Sequence, residues 1–315
     1  MMEHILAKSM ANLGTETAFE VLAKAKALEA QGKDIVHLQI GEPDFDTPRN
    51  IIDAAIKALN EGYTHYSPSA GLPEAREAIA NYVRQYKNVP ADPDEIVIVP
   101  GGKPIIFFSI LALCDPGDEV IYPNPGFPIY ESVARYIGAK PVPIPLREEN
   151  HFRLDVDELK SLITPKTKML IINSPQNPTG GYLRREDVEA IADAVRGKNI
   201  VVLSDEIYDR LIYSDEKPVS IASLPGMKDW TIILDGFSKT YAMTGWRLGY
   251  GVMHKDIAAK VTKLMTNSNS CTASFTQIAG IEALTGPQDA VEAMKAEFKK
   301  RRDIIVDGLN AIPRV

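Results

Sequence analysis

Five short, mostly apolar runs recur along the chain, and each ends in a polar loop. They are Ile96–Val99, Glu119–Tyr122, Lys168–Ile172, Ile200–Leu203 and Thr231–Leu234. Short apolar runs bounded by turn signals read as buried strands. Helical patterns lie between them: Lys103–Leu113, Ile129–Ile137, Asp155–Leu162 and Arg185–Val195. Strands alternating with helices specify β-α units, so a doubly wound α/β domain is expected. In such a sheet the loops after the strands gather at one edge, where ligands bind. Lys140–Ile144 and Leu248–Val252 read as further strands, as does Ile35–Ile40. Outside the alternating region, helices are expected at Thr15–Ala30, Ile51–Leu59, Pro73–Gln85, Asp256–Met265, Phe275–Leu284 and Pro287–Leu309.

Composition narrows the partners. The 315 residues can bury a substantial core in one large or two unequal domains. The net charge is −7, from 35 basic and 42 acidic residues. The one long basic run, Lys299–Arg302, falls in a helical pattern and reads as a solvated face, so a nucleic-acid partner is not expected. Cys114 and Cys271 lack metal-ligand spacing and suit a reducing compartment. No signal core and no run of 18 apolar residues is present, so a cytoplasmic protein without membrane contact is expected.

The loop after Leu234 is the densest in chemistry. It reads Asp235-Gly-Phe-Ser-Lys-Thr-Tyr-Ala-Met-Thr-Gly-Trp-Arg-Leu-Gly249. Lys239 is either a surface charge or an amine with an assigned partner. Its setting beyond a strand end, with Ser238 beside it and Arg247 eight residues on, favours the second. Arg247 could fork onto a phosphate or carboxylate. Gly101 and Gly102 lead directly into an apolar helix, whose free N–H groups could hold an anion. Phe127 sits in a proline-fixed loop and could cover a flat ligand or simply pack in the core. Asp205 follows a buried run, where a carboxylate needs a partner. The loop Gly62–Gly71, with Tyr63, His65 and Tyr66, must be held by a ligand, a second subunit or ordinary packing. A lysine amine, a carboxylate, a stacking ring and a phosphate cradle together match the needs of pyridoxal 5'-phosphate.

The chain closely resembles the class I/II aminotransferases of fold type I, in the aspartate aminotransferase-like group. The resemblance is carried, in the family's order, by Gly41-Glu-Pro-Asp-Phe, Tyr66-x-x-x-x-Gly71, Gly101-Gly-Lys103 and Pro123-x-Pro-Gly-Phe-Pro-x-Tyr130. It continues through Asn177-Pro-x-Gly180, Ser204-Asp-Glu-x-Tyr208 and Ser238-Lys-x-x-x-x-x-Gly-x-Arg247. It implies a three-layer α/β/α large domain with a mixed, mostly parallel sheet, plus an incomplete small domain. The implied division is an N-terminal arm and part of a small domain at 1–48, a cofactor-binding domain at 49–286 and a long helix at 287–315. The resemblance also implies that Lys239 forms the internal aldimine with pyridoxal 5'-phosphate and moves the substrate proton. Asp205 would pair with the ring nitrogen, Tyr208 and Asn177 with the ring oxygen, and Phe127 with the ring face. Gly101, Gly102, Lys103, Ser238 and Arg247 would surround the phosphate. Tyr66 would reach the phosphate of a second subunit, implying a homodimer, and Gly41 would border the substrate carboxylate. The implied reaction moves an amino group from an L-amino acid to a 2-oxo acid, 2-oxoglutarate in many members.

Two departures shape the expectation. Members commonly run to nearly 400 residues, and no arginine here matches the one that clamps the substrate carboxylate; Arg314 lies too early in the order. A truncated chain with impaired turnover is therefore expected. The bulky Pro104-Ile-Ile-Phe-Phe108 also argues against a strict aspartate preference. The same site could serve a C–S lyase, decarboxylase or racemase, and a silent cofactor-binding module is the reading from another class. A nicotinamide dinucleotide domain fits poorly, since no Gly-x-Gly-x-x-Gly follows an early strand.

Overall fold

The computed structural model describes residues 5–214 and 216–313. Arg314 lies outside them. The expected strands become a seven-stranded sheet: β1 (Ile96–Val99), β2 (Glu119–Asn124), β3 (Lys140–Pro145), β4 (Thr167–Asn173), β5 (Val201–Asp205), β6 (Thr231–Gly236) and β7 (Gly249–Val252). The spatial order is β1-β7-β6-β5-β4-β2-β3. Only β7 runs antiparallel to its neighbours; the other pairings are parallel. Because β7 reverses between β1 and β6, β1 still points the same way as β2, β4, β5 and β6. The loops after all five predicted strands therefore open at one edge, as the sequence indicated.

Three layers form because both faces of the sheet are apolar. One face (Val97, Val99, Met169, Ile171, Leu203, Leu234) packs on α4 (Lys103–Leu113), α5 (Ile129–Tyr136) and α8 (Lys255–Ser268). The other carries α2 (Arg49–Asn60), α3 (Pro73–Tyr86) and α9 (Ser274–Thr285) at one end. At its far end lie α6 (Val156–Leu162) and α7 (Arg185–Val195). Side chains alternate along a strand, so Leu203 and Asp205 face α4 and α5 while Ser204 faces α3. That split matters for the site.

Two segments stand outside this sandwich. The helix α1 (Thr17–Glu29) buries only Ala25. The final helix, α10 (Asp289–Asn310), buries Val291 and Met294 near its start. Farther along, Ile304, Ile305, Val306 and Leu309 are exposed. The middle of α10 meets the arm: Phe298 packs edge-on to Phe45 at 5.3 Å, and Arg301 bonds Asp44 at 2.7 Å.

The strand expected at Ile35–Ile40 does not form. Val36 and Leu38 are 79% and 82% exposed, and no ladder among the described residues includes them. A β-prone run becomes a strand only when a neighbour takes up its backbone N–H and C=O groups. Here the segment is tied by side chains instead, His37 to Glu29 at 2.7 Å and Gln39 to His37 at 2.8 Å. The loop Gly62–Gly71 is held by α9. Ser274 donates to the His65 carbonyl, and the buried Gln277 accepts from Leu72 N–H and donates to Ser67.

Candidate active site

Asp205 ends β5, and its side chain is almost fully buried. Tyr130 of α5 donates its hydroxyl to Asp205 Oδ2 at 2.6 Å, and the Ile207 N–H reaches Oδ1 at 3.3 Å. Burial is the largest effect on this carboxyl and raises it to about 6; the two hydrogen bonds pull the other way. The neighbouring β4 ends in Asn173, directly opposite Asp205 in the ladder. Its amide nitrogen donates to the Asp205 carbonyl at 3.0 Å, while its oxygen accepts from the Asn177 N–H at 2.8 Å. Asn173 thus fixes both strand-end loops.

Lys239 lies five residues beyond Leu234. Its Nζ donates to the Gly41 carbonyl at 2.5 Å and stands 5.9 Å from the centre of the Tyr208 ring. Burial lowers the pKa of this amine, with Arg247 adding to the effect and Glu42 opposing it. The Gly41 loop is brought in by Thr47, which donates to the Ala242 carbonyl and accepts from the Trp246 indole. Lys239, Tyr208, Asn177 and Gly41 line one cavity of about 540 Å³. Arg302 of α10 lines it too and stacks 5.3 Å over Tyr213. Lys299–Arg302 are exposed, as the solvated-face reading expects, and from that face Arg301 reaches Asp44 and Arg302 the cavity mouth.

The start of α4 forms a second corner. Gly101 has φ +83°, open to glycine at little cost, and Gly102 caps the helix without a side-chain bond. A Cβ on Gly101 would come within 1.9 Å of an Arg247 guanidinium nitrogen, so that side chain lies directly against the turn. Arg247 is itself left-handed at φ +53°, and its Nη1 bonds the Thr244 carbonyl at 2.8 Å. An uncapped helix start with a guanidinium beside it can accept a phosphate. Lys103 opens α4, but its ammonium pairs with Glu16 and sits 5.2 Å over Phe127. Phe127 also packs edge-on to Tyr130 at 5.9 Å.

Most of the predicted site residues thus lie on neighbouring strand ends. Tyr66 does not join them within one chain: it is 90% exposed. Tyr130 and Asn173 were given no role by the sequence. Tyr130 lies in a quoted motif and Asn173 is a polar residue ending a buried strand, so a signal existed for both.

Comparison with known proteins decides the family. Residues 33–315 match the family described as aminotransferase class I and II. The chain belongs to the class I and II aminotransferases. It is 42% identical to an aspartate aminotransferase of Geobacillus stearothermophilus over 309 residues, covering 98% of this chain and 79% of that one. It is 43% identical to aromatic-amino-acid aminotransferase 2 of Thermococcus litoralis, covering 89% of this chain and 73% of the relative. The aspartate aminotransferase of Thermus thermophilus with maleate superposes with a TM-score of 0.94 at 36% identity, over 97% of this chain and 80% of that one. This aminotransferase therefore has the fold type I architecture, uses pyridoxal 5'-phosphate and exchanges amino groups between amino and oxo acids.

The residues present fit that cofactor. A buried carboxylate, an amine on the cavity wall and a glycine turn filled by Arg247 offer partners for its ring nitrogen, aldehyde and phosphate. Among the described residues no helix is long and apolar enough to cross a membrane, and no cluster of His, Cys, Asp and Glu suits a metal ion.

Proposed function

We propose that this aminotransferase transfers the amino group of an L-amino acid to 2-oxoglutarate, with Lys239 as the group that binds the cofactor and carries the substrate proton. One observation carries the reading: a lysine amine with a lowered pKa stands on the wall of the same cavity as Asn177 and Tyr208, and Tyr208 in turn feels the charge of the buried Asp205. Bound pyridoxal phosphate supplies an electron sink next to the substrate Cα. Burial lowers the Lys239 pKa, the direction that suits an amine that must attack a carbonyl and then take up a proton.

Asp205 would pair with the cofactor's ring nitrogen, with Tyr130 orienting the carboxyl. Tyr208 and Asn177 would hydrogen-bond the ring oxygen, and Phe127 would cover the ring face. Gly101, Gly102, Ser238 and Arg247 would bind the phosphate, with Lys103 nearby. Tyr66 serves the site of a second copy in a homodimer, in keeping with its exposure on a loop held from behind by α9. Gly41 borders the substrate, and Arg302 offers the cavity a cation for a substrate carboxylate.

Absorbance tests the reading. Protein supplied with cofactor is expected to show a visible band that borohydride removes, with the label on Lys239 by peptide mapping. Single amino acids should discharge the band, and 2-oxoglutarate should restore it. A band that amino acids leave untouched would refute transamination by this chain; recovery with other oxo acids but not 2-oxoglutarate would refute the acceptor.

A further inference from the structure

The acidic residues at the ends of β5 and β6 divide between the two faces of the sheet. Asp205 faces α5 and the Tyr130 hydroxyl. Asp235, Glu206 and Asp209 gather on the other face around one lysine, Lys87, the residue that closes α3. Lys87 Nζ lies 3.0 Å from Glu206 Oε2 and 2.9 Å from Asp235 Oδ2, and it also contacts Asp209 Oδ2. Its side chain is 2% exposed, and those of its three partners no more than 8%. The remaining oxygens are mostly satisfied. Ser204 and Ser220 donate to Glu206 Oε1, and Tyr250 and the Gly236 N–H donate to Asp235. Asp209 Oδ1 has no partner among the described residues. Asp209 lines a pocket of about 20 Å³, room for one water.

We propose that Lys87 is a positioning residue of the active site: by joining Glu206 and Asp209 to Asp235 it clamps the loop bearing Asp205 and Tyr208 to the loop bearing Lys239. This rests on the roles given above to Asp205 and Lys239. The clamp spans three elements that sequence places far apart, since Lys87 is 119 residues from Glu206 and 122 from Asp209. It is also the cation that offsets three carboxylates behind Asp205. Asp235 and Glu206 both act on the Asp205 carboxyl, pushing it up. Lys87 limits that push by drawing their field onto itself. The other groups facing the cluster are Tyr82 and Tyr86 of α3, Tyr241, Tyr250 and Arg210. Arg210 is engaged elsewhere, stacked on Tyr86 and bonded to Glu292 at 3.2 Å.

The test uses two variants with opposite expected signs. Lys87→Gln removes the cation and keeps a polar side chain; Asp235→Asn removes one carboxylate and keeps Lys87. In apoprotein with carboxyl-¹³C aspartate, assigned with Asp205→Asn, the Asp205 titration midpoint should rise by about one unit in Lys87→Gln and fall in Asp235→Asn. Cofactor affinity should weaken about tenfold or more in Lys87→Gln. A general loss of stability would not move the midpoint in opposite directions. An unmoved midpoint, or shifts of the same sign, overturns the proposal. If Lys87→Gln does not fold, an unmoved midpoint in Asp235→Asn overturns it and a fall supports it. The titration needs no cofactor, so failure of the functional reading would show separately, as wild-type protein that forms no visible band.

Discussion

Replacing Asp205 by Asn should stabilise the apoprotein and disable the enzyme. Burial holds this carboxyl at about 6, against 3.8 for a free aspartate. The folded value is the higher one, so this group's contribution to stability is complete below pH 3.8 and is lost as pH rises through about 6. At pH 8 the folded apoprotein carries the whole cost of a buried charge, roughly 3 kcal/mol. Asparagine removes the charge and still accepts from Tyr130. Its amide nitrogen must then face the Ile207 N–H, now 3.3 Å from Oδ1, which returns about 1 kcal/mol. The net gain is about 2 kcal/mol, or roughly 3 °C in Tm for a chain of this length. Calorimetry of the two apoproteins at pH 8 and pH 5 checks it. The gain should be full at pH 8 and shrink to about 0.5 kcal/mol at pH 5, where the folded wild-type carboxyl is largely protonated while the unfolded one is still ionised. Turnover should fall about a hundredfold or more, since the ring nitrogen loses its carboxylate. An apo variant that melts below wild type at pH 8, or an offset that is the same at both pH values, would refute the reasoning.

Tyr130→Phe should leave Asp205 with one donor fewer, lift its pKa further and move the acid limb of the kcat/KM profile upward; an unshifted limb would remove Tyr130 from the site. Gly101→Ala should weaken cofactor binding about tenfold or more, because its Cβ needs the space of the Arg247 guanidinium and the φ of +83° disfavours any side chain. Fluorescence titration with cofactor measures this, and unchanged affinity would show that the turn is not the phosphate cradle. Arg302→Gln should raise KM for carboxylate substrates several-fold with little change in kcat, and steady-state kinetics with two donors of different side chain decide it.

Much of the site was legible because strand-end loops carry distinctive residues in a fixed order. Asp205, Asn177, Lys239 and Arg247 each follow an apolar run, and the alternation of strand and helix was enough to put their loops on one sheet edge. The failed strand at Ile35–Ile40 shows the limit of local reading: its pattern suits a strand, but no neighbouring edge reaches it. Tyr130 shows another limit. It sits in the first turn of α5, and nothing nearby in sequence reveals that its hydroxyl meets a carboxylate 75 residues away.

The sequence by itself determined the layered α/β architecture and the cofactor chemistry, and it singled out Lys239 as the candidate amine. These follow from periodicity and from residue types that few other chemistries use together. Only the tertiary structure decided which groups tune that lysine and its partner carboxylate. Burial sets the Asp205 and Lys239 ionisations, and burial is a property of the packed sheet edge. Lys87 reads as one more charge at a helix end until the fold removes it from water and encloses it with three carboxylates. Desolvation and proximity across the chain have no local signature, which is why the site's members could be read from the sequence and its electrostatics could not.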